Sequence, residues 1–146
     1  MHDIDTIGAR LRTSGDLAAT LAASFDAFEV IRGAARACEN RDLGLLPAFM
    51  LVAGAAVDGR NSVAAAPSLP RATGSADRPG RPEPGAGLHD IADGLAALGA
   101  LLAGRLPAAA ADATIPGDLA ACADAAEAAA QIHRLLAGTC DARRVR

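Results

Sequence analysis

The stretch Leu45-Leu46-Pro47-Ala48-Phe49-Met50-Leu51-Val52-Ala53-Gly54-Ala55-Ala56-Val57-Asp58-Gly59 decides how this chain is read. Proline is tolerated in the first turn of a helix, so the segment predicts a helix that starts near Leu45. Glycine suits the left-handed residue that closes a helix, so Asp58-Gly59 predicts its end. Phe49, Met50, Ala53 and Val57 cover one side, while Leu51 and Val52 point elsewhere. A helix apolar all round must be covered all round. Either residues 61–70, with Val63 and Leu69, fold over it, or another molecule does.

The segment before it reads as its partner. From Asp16 to Asn40, Leu17, Leu21, Phe25, Phe28, Ile31, Ala35 and Cys38 recur at steps of three and four. That is the stripe of a helix with one dry face. Asp26, Glu29 and Arg36 are expected on its wet side. Ser14 is the expected N-cap, and a short extra helix with Ile4, Ile7 and Leu11 is expected at Asp3–Leu11. Residues 14–59 therefore predict one helical hairpin, in which Phe25, Phe28 and Phe49 supply the largest core side chains.

The stretch 67–87 contains five of the eight prolines and predicts a long loop or flexible linker. A second hairpin is expected over 88–140. Leu88, Ile91, Leu95, Leu98 and Leu102 form the seam of one helix, which closes near Arg105 and Pro107. Leu119, Ile132, Leu135 and Leu136 mark the dry side of the other. Asp124, Glu127, Gln131 and Arg134 mark its wet side. The pentapeptide Gly15–Ala19 recurs as Gly117–Ala121, without extending into a repeat. The reading is a single all-α domain: an up-down four-helix bundle with a short N-terminal helix and a Pro/Gly-rich loop between its two hairpins.

Composition supports that reading and narrows the functions. Of 146 residues, 39 are Ala, the best helix former. Leu, Ile, Val and Phe together number only 31, so the core is modest and association is expected to add stability. The net charge is −3, and Tyr and Trp are absent. Nucleic-acid binders neutralise phosphates and stack bases, so that class is disfavoured. All fourteen basic residues are Arg, which with so much Ala, Gly and Pro predicts the codon bias of a high-GC bacterial genome. The N-terminus lacks the basic-then-apolar order of a signal peptide, and no membrane span is expected, which predicts a cytoplasmic protein.

Candidate chemistry is sparse. No phosphate loop, nucleophile elbow or zinc-protease motif is present. Cys38, Cys122 and Cys140 have no ligand spacing, and the plain reading is buried small hydrophobes. An up-down order would make Cys38 and Cys122 neighbours. His89 and His133 fall at similar heights if the second hairpin turns near residue 111, and Asp90 or Asp93 would join them. Zinc needs three or four convergent ligands, so no metal or cofactor is expected. The densest polar group is Asp58, Arg60 and Asn61, with Arg36 across the hairpin. Arg60 reads first as a cap on helix carbonyls, and second as a fork for an anionic ligand.

Two functions follow. The first is a non-catalytic regulatory or accessory protein that forms a homodimer, or binds a helical partner, through Leu51 and Val52. The alternative is a small-molecule binder or small enzyme. Its pocket would lie between the two helices of the first hairpin, with Asp58, Arg60, Asn61 and Arg36 on the ligand.

Overall fold

In the computed structural model, residues 2–70 and 87–144 are described, with side chains as far as Thr139. The protein is all-α. Five helices follow in order: α1 His2–Thr13, α2 Leu17–Cys38, α3 Leu46–Ala64, α4 Leu88–Ala110 and α5 Pro116–Arg144.

Four of them form a ring in which α2 packs on α3 and α4, and α5 also packs on α3 and α4. Among the described residues, the backbones of α2 and α5, and of α3 and α4, are not close neighbours. The short α1 lies along the seam between α2 and α4, tied to α2 by the Arg10–Asp26 ion pair. The core contains the expected stripes: Leu21, Phe28 and Ile31 from α2, Ile91, Leu95 and Leu102 from α4, and Ile132 and Leu136 from α5.

Two contacts fix the directions. Just past α3, Ser68 donates from its backbone N–H to Asp118 in the first turn of α5 at 2.9 Å. Near the end of α4, Arg105 donates to the carbonyl of Ser14, just before α2, at 2.6 Å. Neighbours in the ring are therefore antiparallel, while α3 and α4 run the same way. This differs from the alternating order expected from sequence, although both hairpins form. The stretch 71–86 lies outside the described residues. A chain of that length spans up to about 50 Å, more than the ~35 Å of α4, so alternation is not required of it.

Local readings shift too. Asp16, not Ser14, caps α2 by accepting from the Ala19 N–H at 2.7 Å. Ser14 instead donates to the Leu11 carbonyl. Helix α3 runs five residues past Gly59. That glycine is a packing residue: a Cβ there would lie 2.3 Å from Cε1 of the fully buried Phe28. Helix α4 continues through Pro107 to Ala110. It alone among the described helices has the length and apolarity to cross a membrane, and Ile91, Leu95, Leu98, Leu102 and Leu106 are buried in the core.

Candidate functional site

Because α3 continues to Ala64, Arg60 does not cap a helix end. It projects from within α3 toward α2 and donates to Glu29 Oε1 at 2.7 Å. Arg32, three residues along α2, holds Glu29 Oε2 at 2.9 Å. Glu29 thus leaves the wet side expected of it and becomes the shared carboxylate of two arginines, with only a fifth of its side chain exposed. Burial alone would push its carboxyl up. The hydrogen bond from Arg60, then that from Arg32 and both charges, outweigh burial and hold it below the usual carboxylate range.

The other residues expected at this site disperse. Arg60 reaches the Asn61 amide oxygen at 3.3 Å. Asp58 is exposed, and its carbonyl accepts from Ser62. Arg36 is exposed one turn beyond Arg32.

The expected interface pair separates as well. Val52 is fully buried in the core. Leu51 is 55% exposed, beside Met50 at 57%. Residues 61–70 do not wrap α3 as proposed from sequence. They extend it through the buried Val63, and then dock Ser68 on the buried Asp118 at the start of α5. Pro47, Met50, Leu51 and Gly54 form one exposed apolar stripe, continued by Asp58 and Asn61. Leu43, in the α2–α3 turn, is 81% exposed. Leu119, expected on the dry side of α5, is 44% exposed.

The histidines do not converge. His133 Nδ1 lies 3.1 Å from the Ala96 carbonyl, two helical turns or ~10 Å along α4 from His89. Among the described residues, no three His, Cys, Asp or Glu side chains are placed to hold a metal. Cys38 and Cys122 are both buried. Cys38 closes α2 and Cys122 lies near the start of α5, at the other end of the bundle, so they are not neighbours. Burial pushes the Cys38 thiol up, with Arg41 opposing. Burial and then the Asp118 charge push up the Cys122 thiol. Neither is an activated nucleophile.

Open clefts among the described residues lie elsewhere. One, about 140 Å³, separates α1 from α4 between Arg12 and Leu101. Another, about 170 Å³, lies where the α1–α2 turn meets the end of α4, lined among others by Ser14, Asp16, Thr20, Arg105 and Asp112. Arg105 and Asp118 carry no local signal, because their partners are distant in the chain, and Glu29 has a local partner in Arg32 but meets Arg60 from 31 residues away. The repeated Gly-Asp-Leu-Ala-Ala pentapeptide was a faint signal. Asp16 in the first copy caps α2, and Asp118 in the second anchors Ser68.

Compared with models of known families, with characterised proteins and with solved structures, the chain matches none.

Proposed function

We propose that this is a non-catalytic helical protein that acts by self-association through α3. The observation that carries this reading is the exposed Met50–Leu51 step, the large apolar part of the stripe that Pro47 and Gly54 flank on α3. Val52 takes no part, and Met50 replaces it. Laid antiparallel on a copy of itself about that step, the stripe sets Met50 against the partner's Leu51. Pro47 then meets the partner's Gly54, where nothing lies within 4 Å of an added Cβ. Small residues at such a crossing let two helices approach closely.

The size of the patch sets the strength. Stable complexes bury ~800 Å² on each partner, and the two half-exposed side chains Met50 and Leu51 offer roughly a quarter of that. The dimer is therefore a weak one, suited to an accessory or regulatory role. The small-molecule reading between α2 and α3 is less favoured, because Glu29 and Asn61 already occupy the Arg60 guanidinium.

Light scattering with native mass spectrometry, run from ~1 to ~100 µM protein, tests the proposal. A dimer is expected within that range. Met50→Arg with Leu51→Arg is expected to abolish it while leaving the melting temperature within a few degrees. A wild-type chain that is monomeric throughout the range overturns the reading.

A further inference from the structure

We infer that the cleft between the α1–α2 turn and the end of α4 binds a small zwitterion of the free amino-acid class. Its carboxylate would sit on Arg105 and its ammonium group toward Asp112.

The argument begins with an uncompensated cation. Arg32 and Arg60 are partly buried and share Glu29. Arg105 is also partly buried, yet among the described residues no carboxylate pairs with it. Its Nη2 donates to the Ser14 carbonyl at 2.6 Å and lies 3.3 Å from Ser14 Oγ. Its Nε is shut off from solvent with no acceptor. A guanidinium carries five N–H donors in a planar fork; the Nε, closed off like that of Arg32, cannot reach a ligand in the cleft, so the Nη groups would carry any contact. Charges withdrawn from water are normally paired, and this one faces a cleft.

The cleft is polarised. On one wall stand Gly15, Asp16 and Leu17 at the start of α2, where the first N–H groups have no partner within the helix. The opposite wall is the last turn of α4, with Ala108 and Ala109, and the exposed Asp112 two residues beyond its end. The positive end of one helix dipole and the negative end of another thus meet across a single space. A simple anion such as phosphate would meet the Asp16 and Asp112 carboxylates as well as Arg105. A molecule carrying both signs meets neither repulsion. A volume of about 170 Å³ leaves room for a small amino acid. Leu17, Ala108 and Ala109 would take a short apolar side chain.

Calorimetric titration of the whole chain with L-alanine, acetate and ethylamine at ~10 mM tests this, a concentration that fills a site of millimolar affinity. Alanine is expected to bind at least ~10-fold more tightly than acetate, and ethylamine not to bind, as the two-sign recognition requires. Arg105→Gln is expected to abolish alanine binding. Asp112→Asn, at an exposed residue, is expected to weaken alanine ~10-fold and leave acetate unchanged or stronger. Ala108→Leu fills the cleft without altering a charge and is expected to block binding, with an unchanged melting curve as the control for folding. No alanine binding by the wild-type protein overturns the inference. So does binding that survives both Arg105→Gln and Ala108→Leu, or acetate binding as tightly as alanine.

Discussion

The two hairpins of this molecule close their seams in different ways. Between α2 and α3, one large side chain does the closing: the Phe28 ring lies over Gly59, and the Glu29 carboxylate next to it bridges to Arg60. Between α4 and α5 it is backbone that meets backbone. A Cβ on Gly99 would lie 3.0 Å from the Ala129 carbonyl oxygen and 3.1 Å from the His133 nitrogen. Ala92, Ala96, Ala125 and Ala129 are buried around it, and His133 reaches the Ala96 carbonyl. A chain poor in large apolar residues thus has two routes to a dry interior. It can key one ring into one gap, or it can bring whole helices closer together. The first concentrates specificity in a pair of residues. The second spreads it along two helices.

The largest effect should come from filling the gap in the first seam. Gly59→Ala places a methyl 2.3–2.7 Å from three ring carbons of Phe28, which is fully buried and cannot swing into water. A loss of about 3 kcal/mol or more is expected in urea unfolding. Adding Phe28→Leu should recover part of that loss, so that the double variant is more stable than the two single changes sum to. Strict additivity would break the view that one pair keys this seam.

Gly99→Ala probes the other seam and should cost less, about 1–2 kcal/mol. The clash is milder, and alanine returns up to ~1 kcal/mol of helix propensity. Here the obstructing atoms are mainly backbone, so no single truncation on α5 should rescue the variant as Phe28→Leu rescues Gly59→Ala.

The charged bridge distinguishes the seams by pH. The Glu29 carboxyl is held below its ordinary range in the folded protein, so its contribution is complete above that range and is lost as pH falls through the lower folded value. Glu29→Gln is expected to lose about 1–2 kcal/mol at neutral pH. The gap to the wild type should close on acidification, below the range in which free carboxylates titrate. A gap independent of pH would assign the loss to packing.

How much of this was legible in the sequence follows from which interactions are local. Helix periodicity is local, so the stripes through Leu21–Phe28–Ile31 and Ile91–Leu95–Leu102 could be read directly, and with them the all-α class. Helix ends were misread wherever a residue had a tertiary job. Gly59 looked like a terminator because glycine suits that position, but the structure uses its missing side chain against Phe28. Helix direction around the ring was not legible. It rests on Ser68–Asp118 and Arg105–Ser14, pairs 50 and 91 residues apart. For the same reason the candidate residues scattered. Arg60 reads from sequence as a cap or an anion fork beyond a helix end, but it lies within α3 and its partner Glu29 is 31 residues away. Nothing in the sequence distinguished the half-exposed Leu51 from the buried Val52, adjacent on a helix apolar in both directions.

The smallest effect has the opposite sign and comes from the same helix as the largest. Gly54 lies five residues before Gly59, on the exposed stripe, with open space where a Cβ would go. A glycine in a helix interior costs ~0.5–1 kcal/mol relative to alanine when packing does not require it. Gly54→Ala should therefore raise stability by about that amount, whereas the same change at Gly59 lowers it severalfold more. The measurement also bears on self-association. If the partner's Pro47 packs over Gly54, an added methyl stands in its way, and the variant should be more stable as a monomer yet dimerise less. Higher stability with unchanged dimerisation would move the contact off Gly54. A loss of stability in the dilute monomer would mean that this face of α3 already has a neighbour within the chain.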